Sequence, residues 1–383
     1  MAHLIESISI PSASPGTHRI IKVRRWGKAG IGKKVYIQAG LHADESPGIM
    51  VAHHLTEFLD ELSDQNKILG EIIVVPFANP IGMSQWLNDN LLGRYRLCDG
   101  GGNFNRDWPD LSAEVLSLVK KKLTTNSRTN IKIMREALNT AVNKLPCKTE
   151  KEFHRKALLS LSIDSDFVLD LHCDWRATLH LYANQTHKNA AMQLAREMGI
   201  PVVLLEESVN GGPFDESNIA PWLNVRHALN IQDKVLPAAC ASFTVELRGK
   251  NDVSDRLGKL DAINILNFLS RNGIIDTTPP PLPDALCKAT PLDGCDMITA
   301  PISGLIAWHV ELGDTVTKSQ HVADIIDLDY TNPAEIRIPI HAGQDGILFS
   351  QHLDYLIRPG EVIGKIAGRK SLLHRQGVPL LGN

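Results

Sequence analysis

The sequence contains no run of about 18 consecutive apolar residues, so we expect no membrane-spanning helix. It also lacks a strong charge of either sign. The formal net charge is −3, and this weak field suits neither nucleic acid nor an anionic membrane surface as a partner. The first residues, MAHLIESISIPSASPG, have neither a basic start nor an apolar core, so we expect no signal peptide.

CxxC pairs are also absent, although the chain has six cysteines. Scattered cysteines without metal-binding or redox spacing are typical of reduced thiols. Together with the expected lack of a signal peptide, they predict a cytoplasmic protein. The six are Cys98, Cys147, Cys173, Cys240, Cys287 and Cys295.

The 383 residues are 43% hydrophobic and 22% charged, which allows two domains and a large core. Strand-like and helix-like segments alternate over the first ~280 residues. This alternation predicts an α/β domain with a mostly parallel or mixed sheet. The strand-like segments are RIIKVRRW, KVYIQAG, EIIVVPFANP, DFVLDLH, TLHLYA, PVVLLE and SFTVELRG, and the helical ones are GIMVAHHLTEFLDEL, HKNAAMQLAREMG and DRLGKLDAINILNFLSRNG.

Two stretches interrupt or end this pattern. A long helical region covers roughly 112 to 162, with a break expected at Pro146. The proline-rich segment IIDTTPPPLPDA predicts a linker, which divides the chain into residues 1–280 and residues 281–383.

After the linker the sequence has short strand-like runs with Gly and Pro turns and no clear helix. The two halves of this region repeat the order Pro, Gly, Gly before Val. This weak duplication predicts a small all-β barrel built from two similar halves.

Ionisable residues stand at the ends of three predicted strands. They are His42 and Glu45 after the strand KVYIQAG, His172 at the end of DFVLDLH, and Glu246 in SFTVELRG. Ligands of open α/β sheets bind at the carboxyl ends of the strands. Two His and one carboxylate are a common catalytic zinc set, and a second carboxylate can act as a general base. Taken singly, each residue is more often structural.

The loop RYRLCDGGGNFNRDWP carries a second candidate group. Arg106 can hold a carboxylate with two donors, and Asn105 adds another. Arg94 or Arg96 supplies a further cation. The alternative is a solvent-exposed loop with incidental charges.

The order His42-x-x-Glu45, Asn105-Arg106, His172 and Glu246 resembles the succinylglutamate desuccinylase/aspartoacylase family of zinc carboxypeptidase-like hydrolases, over roughly residues 35 to 250. The resemblance implies an α/β/α domain with a mixed sheet and one zinc ion per chain. The implied roles are zinc ligands for His42, Glu45 and His172, general base for Glu246, carboxylate clamp for Asn105 and Arg106, and polarisation of the scissile carbonyl for Arg94 or Arg96.

Further residues near these motifs have weaker assignments. Asp170 is a candidate to orient His172, although a shared strand face does not establish contact. Cys173 is expected in the core, and His53 and His54 on a helix face.

The C-terminal region resembles a biotinyl/lipoyl-type barrel, but the stretch DLDYTNPAEI lacks the lysine that such carriers modify. A lid, a wall of the active site or an oligomer contact is the role that remains.

These patterns predict a zinc-dependent amidohydrolase that cleaves an N-acyl group from a small carboxylate-bearing substrate. The expected partner is a small anionic molecule, and a homo-oligomer is left open. A metallocarboxypeptidase acting on peptide C-termini is the alternative enzyme. A binding protein that kept the fold without the metal is the alternative that is not an enzyme.

Overall fold

The structure is a computed structural model that describes residues 4–12, 14–97, 100–207, 209, 212–331 and 336–376. Its helices are α1 Ser46–Asp64, α2 Ser112–Val119, α3 Ser127–Asn143, α4 Glu150–Ser162, α5 Lys188–Met198, α6 Phe214–Ala228 and α7 Asp255–Arg271. Its first twelve strands are β1 Leu4–Ile10, β2 Arg19–Gly27, β3 Lys34–Ala39, β4 Glu71–Val75, β5 Trp86–Leu87, β6 Asn90–Leu91, β7 Phe167–Asp174, β8 Arg176–Ala177, β9 His180–Asn184, β10 Val202–Glu206, β11 Ala241–Gly249 and β12 Thr290–Pro291. The remaining strands are β13 Cys295–Thr299, β14 Gly304–Trp308, β15 Thr315–Val316, β16 His321–Ile326, β17 Arg337–His341, β18 Gly346–Gln351, β19 Leu356–Ile357 and β20 Val362–Gly368.

A nine-stranded mixed sheet forms the centre of the chain, in the order β1-β2-β4-β3-β7-β11-β9-β10-β12. Strands β4, β3, β7 and β11 are parallel neighbours, whereas β9 runs antiparallel to β11. The carboxyl ends of β3, β7 and β11 therefore meet at one edge of the sheet. The predicted mixed α/β architecture is confirmed.

Helices cover both faces of this sheet. Alternate residues of β7 and β11, such as Leu169 and Phe243, pack into a core with α1, α5 and α7. Residues of the opposite parity, such as Val168, face a second core that includes residues of α2, α3, α4 and α6. That second face of β7 also carries Asp170 and His172, because successive side chains alternate. No helix in the described residues is long and apolar enough to cross a bilayer.

The region predicted as helical from 112 to 162 contains three helices. The break at Pro146 is confirmed, since α3 ends at Asn143 and α4 begins at Glu150. A second break, between α2 and α3, was not predicted. There Asn126 caps α3 by accepting from the backbone N–H of Thr129, an arrangement that starts a new helix.

Besides the two-residue strands β5, β6, β8 and β12, the sequence prediction missed two longer elements. Strand β1 pairs with β2 at the edge of the sheet. Helix α6 contains Pro221, which lacks a backbone N–H and normally marks a helix boundary.

Residues 295–368 form two antiparallel sheets, ordered β13-β20-β18-β15 and β17-β16-β14-β19. The two sheets have equivalent strand pairings when β13, β14, β15 and β16 are matched, in that order, with β17, β18, β19 and β20. The duplication predicted from the sequence is therefore present in the strand pairing. Part of DLDYTNPAEI, residues 332–335, lies outside the described residues.

The C-terminal strands contact the central part of the chain beside the carboxyl end of β7. Strand β18 pairs with β8, and Lys365 of β20 reaches Asp174, with 2.5 Å between Nζ and Oδ2. Both side chains are buried, so each charge depends on the other for solvation. Strand β12 also joins the large sheet beside β10. The division at residue 280 stays a prediction.

We predict that Lys365→Met lowers the free energy of unfolding at pH 7 by about 3–5 kcal/mol, because it leaves a buried carboxylate without its partner. Burial raises the pKa of Asp174, but Lys365 and His180 outweigh it and lower the pKa to about 2. A carboxyl group with a depressed pKa stabilises the fold above its unfolded pKa of about 4 and loses this contribution as the pH falls. The difference in the free energy of unfolding between wild type and Lys365→Met should therefore become smaller as the pH falls from about 4 to about 2. Denaturant unfolding at several pH values measures both effects.

The exposed Lys370→Met is the matched control and should change stability little. A Lys365→Met penalty no larger than that of the control would contradict the importance of the buried pair.

Candidate metal centre and active site

Three ionisable side chains converge where β3 and β7 end. His42 and Glu45 lie in the turn between β3 and α1, which is closed by a hydrogen bond from the Glu45 N–H to the His42 carbonyl at 3.1 Å. Glu45 precedes α1 at the N-cap position, but its carboxylate does not cap the helix. His172 stands near the end of β7. The turn after β3 thus leaves the Glu45 carboxylate available to the histidines.

The carboxylate of Glu45 lies between the two imidazoles. Its Oε1 is 2.9 Å from Nδ1 of His42, and its Oε2 is 2.9 Å from Nδ1 of His172. The backbone N–H of Cys173, a core residue as predicted, donates to Oε2 at 3.0 Å. The candidate ligand atoms of the three side chains all lie within 4.8 Å of one another. This set of two imidazole nitrogens and one carboxylate suits a divalent transition metal.

The other nitrogen of each ring faces an oxygen atom. Nε2 of His42 is 2.7 Å from Oδ1 of Asn103, and Nε2 of His172 is 2.9 Å from Oδ2 of Asp170. These oxygens favour a proton on Nε2, so Nδ1 is the nitrogen with which each imidazole, in its neutral form, can bind a metal at the shared centre. Asp170 therefore has the contact that its position on the strand suggested. Asn103 was missed, although it stands two residues before Asn105 in the same loop.

Side chains of the neighbouring strand β3 hold Asp170 in place. Its Oδ1 accepts from Nε2 of Gln38 at 2.9 Å, and Oε1 of Gln38 accepts from the hydroxyl of Tyr36 at 2.8 Å. Tyr36 and Gln38 lie on the same face of β3 and are fully buried. The orientation of His172 therefore depends on a hydrogen-bonded chain that crosses from β3 to β7.

The buried ionisable side chains of the cluster shift one another's pKa values. Burial raises the pKa of Glu45, but His42, His172 and Arg94 hold it well below its usual range. Burial lowers the pKa of His172, but Asp170 and Glu45 outweigh it and raise it well above its usual range. Burial and Arg94 lower the pKa of His42. Glu45 is therefore ionised at neutral pH, as a metal ligand must be.

Glu246 lies next to the cluster because β11 pairs with β7 in parallel, with Glu246 opposite His172. Its Oε2 is buried and has no hydrogen-bond partner in the described residues. Burial and the charge of Glu45 raise its pKa to about 8, although His172 opposes this shift. A buried carboxyl group with a raised pKa and an oxygen without a protein partner is suited, in its ionised form, to accept a proton from a water molecule.

The structure distinguishes Arg94 from Arg96, which the sequence alone could not do. Nη2 of Arg94 donates to Oε1 of Glu45 at 2.7 Å. The guanidinium of Arg96 instead donates to backbone carbonyls of its own loop, those of Asn103 and Gly101. Of the two, Arg94 is the one in contact with the metal-ligand cluster.

Asn105 and Arg106 lie beside the cluster. Oδ1 of Asn105 accepts from the backbone N–H of Phe214 at 2.7 Å, which ties the loop to the start of α6. Its Nδ2 lies 3.4 Å from Nε2 of His172. Nη1 of Arg106 donates to the Asn105 carbonyl at 2.7 Å. Asn105 thus joins α6 to the edge of the cluster.

The helical region from 112 to 162 supports this loop. Arg155 of α4 donates to the backbone carbonyls of Arg106 and Asp107. The adjacent His154 lies with Nε2 2.8 Å from the Ala78 carbonyl. No motif in the sequence marks either residue, because their contacts join segments that lie about 50 residues apart for Arg155 and 76 residues apart for His154.

Two other groups of potential ligands occur among the described residues, and each has two exposed members. The first is on α1 and consists of His53, His54 and Glu57. His53 is exposed on the helix as predicted, whereas His54 is buried. The second comprises His309, His321 and Asp324.

Comparison with known proteins identifies the family. The succinylglutamate desuccinylase/aspartoacylase catalytic domain matches residues 31–269. The chain therefore belongs to the succinylglutamate desuccinylase/aspartoacylase family. It is also 22% identical, over 89% of its length and 83% of the relative, to an N-alpha-acetyl-L-2,4-diaminobutyric acid deacetylase of Halomonas elongata.

Solved structures share this fold over almost the whole chain. A protein of Shewanella frigidimarina NCIMB 400, provisionally named a succinylglutamate desuccinylase/aspartoacylase, has a TM-score of 0.84 at 23% identity and covers 96% of this chain and 97% of its own. A family protein of Shewanella amazonensis SB2B has a TM-score of 0.82 at 25% identity and covers 95% of this chain and 98% of its own. The shared fold extends across the C-terminal sheets.

We predict that His172→Ala loses most of the bound metal, because it leaves only two protein ligands. Asn103→Ala keeps all three ligands but removes the acceptor for His42 Nε2, so metal affinity should fall about 10- to 100-fold. Metal content after dialysis, by elemental analysis, and competition with a chelator measure both effects.

His53→Ala removes a histidine from the exposed face of α1 and should leave the metal content unchanged. If His172→Ala retained the metal content of the wild type, the three-ligand centre would be wrong.

Proposed function

We propose that this protein is a zinc-dependent amidohydrolase that removes an N-acyl group from a small carboxylate-bearing substrate. The observation that carries the proposal is the pairing of Glu246 with His172, which puts a carboxylate with an unpartnered oxygen beside the His42, Glu45 and His172 cluster. Family membership supports hydrolysis of an amide bond. The Halomonas relative, a deacetylase of an N-acetylated amino acid, supports the N-acyl substrate class.

One zinc ion per chain fits the three ligands, and it would supply the Lewis acidity that makes a nearby water nucleophilic at neutral pH. Asn103 and Asp170 hold the two imidazoles with Nδ1 directed inward. Glu246 takes the proton of the attacking water on Oε2 and returns it to the departing amine nitrogen, as a general base and then a general acid.

Two arginines have different tasks in this proposal. Arg94, which already contacts Glu45, stabilises the negative charge that develops on the carbonyl oxygen of the substrate. Arg106, with Asn105, binds the carboxylate of the substrate through a fork of two donors. Arg96 is assigned to the loop backbone, since its guanidinium binds carbonyl groups there.

A metallocarboxypeptidase acting on peptide C-termini would use the same groups. Activity against a panel of N-acyl amino acids and short peptides separates the two, because the carboxypeptidase prefers peptides. A binding protein that kept the fold would cleave neither class. The unpartnered oxygen of Glu246 argues against it, since a binding protein has no use for a proton acceptor at that point.

The C-terminal sheets are proposed to form a biotinyl/lipoyl-like barrel that serves as a wall for the active site. The support for a wall is the buried contact of Lys365 with Asp174, two residues after His172. Because DLDYTNPAEI contains no lysine, the barrel is not expected to carry a swinging cofactor. A cytoplasmic location is part of the same proposal, whereas the oligomeric state is left open.

We predict that Glu246→Gln retains zinc but lowers kcat by about 10²- to 10⁴-fold, because the amide keeps the shape of the side chain but cannot accept the proton. Metal analysis and steady-state kinetics on the same preparation test both statements. Glu136→Gln, which makes the same change on the exposed part of α3, should match the wild type. An unchanged kcat in Glu246→Gln would remove this residue from the mechanism.

We predict that Arg106→Ala lowers kcat/KM for an acidic substrate by about 10- to 100-fold but has a small effect on the neutral amide of the same substrate. Arg106→Lys keeps the charge but loses the planar fork, so it should not restore the activity. The exposed Arg128→Ala is the control for a general loss of positive charge. Equal losses for the acidic and the neutral substrate would show that Arg106 is structural.

A further inference from the structure

We infer that a cluster of side chains in the C-terminal sheets binds a divalent transition metal ion, for which Zn²⁺ is the expected ion. The C-terminal histidine cluster is defined here by its three potential ligands, His309, His321 and Asp324. They lie on or directly after β14 and β16, in the antiparallel sheet that does not pair with β8. The site is therefore separate from the candidate metal centre, and the inference does not depend on the proposed function.

The carboxylate of Asp324 lies between the two imidazoles. Its Oδ1 is 2.7 Å from Nε2 of His321, and its Oδ2 is 3.0 Å from Nε2 of His309. The potential ligand atoms of the three side chains all lie within 4.8 Å of one another. Glu45 of the candidate metal centre is placed between two imidazoles in the same way. Two imidazole nitrogens and one carboxylate suit zinc better than magnesium or calcium, which prefer oxygen ligands.

A β-bulge brings His321 and Asp324 to the same face of the sheet. In a regular strand, side chains three residues apart point to opposite faces. The pairing of β16 with β17 shifts by one residue between His321 and Ala323, so that Val322 is the extra residue. Bulges of this kind redirect side chains and are frequent beside functional sites. His309 joins them because its backbone N–H donates to the Val322 carbonyl at 2.9 Å, which extends the pairing of β14 with β16.

A third histidine stands beside the C-terminal histidine cluster. His341 of β17 lies opposite His321 of β16. The ring centroids of these two residues are 5.5 Å apart, compared with 4.6 Å for His309 and His321. All three histidines are exposed, whereas Asp324 is buried. Changes of rotamer can therefore adjust the imidazoles around a fixed carboxylate, and His341 would complete the four protein ligands that a structural zinc ion prefers.

Arg337 is a cation that competes with a metal ion for this carboxylate. Its Nη1 donates to Oδ2 of Asp324 at 3.1 Å, whereas Oδ1 faces His321. The arginine side chain is 53% exposed, so water can solvate it when a metal ion takes its place. Burial raises the pKa of Asp324, but hydrogen bonds from His321, His309 and Arg337 outweigh it and lower the pKa. The carboxylate is therefore ionised at neutral pH, as a metal ligand must be.

The duplicated strand pairing shows that the fold does not itself require this cluster. Asp324 lies opposite Ala307 in the pairing of β16 with β14. At the equivalent place in the pairing of β20 with β18, Lys365 lies opposite Ser350. One half of the repeat thus has a carboxylate among histidines where the other half has the lysine that binds Asp174. The cluster is a property of this half and needs an explanation of its own.

The group of potential ligands on α1 is a weaker candidate. His53 and His54 lie 3.5 Å and 3.3 Å from the carboxylate of Glu57, at helical spacings that place any such side chains together. Glu57 is exposed, and Nε2 of His54 lies 3.0 Å from a carboxylate oxygen of Asp255. This group has neither a buried carboxylate nor a departure from regular backbone pairing that brings its members together.

A hydrogen-bonded surface cluster that binds no metal is the simpler interpretation, and metal binding distinguishes the two. The full chain is loaded with zinc, dialysed against metal-free buffer and then titrated with Zn²⁺ in a calorimeter. We expect one further ion to bind, because an exposed site loses its ion on dialysis and takes it up again. His321→Ala and Asp324→Asn should each lower the affinity for this ion at least about 10-fold, since even the loss of an outer hydrogen bond costs about 10- to 100-fold. An excess of Mg²⁺ should leave the binding unchanged.

His374→Ala removes an exposed histidine of the C-terminal region outside the cluster and is the matched control for His321→Ala. Thermal unfolding without added zinc checks that each variant is folded. Asp324→Asn keeps the shape of its side chain, so it tests the site even where His321→Ala is unstable.

Three results would refute the inference. They are no further binding of zinc to the wild type, equal losses in His374→Ala and His321→Ala, and loss of the ion in His53→Ala instead of His321→Ala. None of these variants changes a residue of the candidate metal centre or a group with a proposed catalytic role. Failure of the amidohydrolase proposal and failure of this inference are therefore distinguishable.

Discussion

The ionised carboxylate of Glu45 is the group on which the candidate site depends. Burying an unpaired carboxylate costs several kcal/mol, so the fold must surround it with donors and positive charge. Three segments supply them: the turn with His42, strand β7 with His172 and the Cys173 N–H, and the loop with Arg94. Displacing any of these segments would leave part of the charge unpaired, so the geometry of the site is coupled to the stability of this region.

A second set of contacts fixes the direction in which the imidazoles point. Asn103 comes from the loop after β6, and Asp170 from β7 itself. The loop is in turn held by Arg155 from α4 and tied to α6 through Phe214. The helical region from 112 to 162 is therefore a support for the site as well as a layer over the sheet. Since ligand orientation sets metal affinity, residues far from the metal cluster in sequence influence it.

The sequence predicted those features that short-range patterns encode. Alternating apolar runs located most strands of the central sheet, and His42, Glu45, His172 and Glu246 could be grouped because parallel strands bring their carboxyl ends together. It could not choose between Arg94 and Arg96, since both stand in one loop and only its path decides which reaches Glu45. Helix α6 was missed because Pro221 interrupts the helical pattern. Asn103 and Arg155 were missed because their contacts join distant segments.

The arrangement of charge around the candidate site bears on the kind of molecule that can bind there. Arg94 contacts the metal-ligand cluster, and Arg106 lies in the adjoining loop. In the proposed function a substrate carboxylate brings a charge of the opposite sign to this loop while the scissile carbonyl lies at the metal cluster. Because a charged group paired away from bulk water is recognised by its position as well as its sign, the distance between the carboxylate and the scissile amide becomes a basis for specificity.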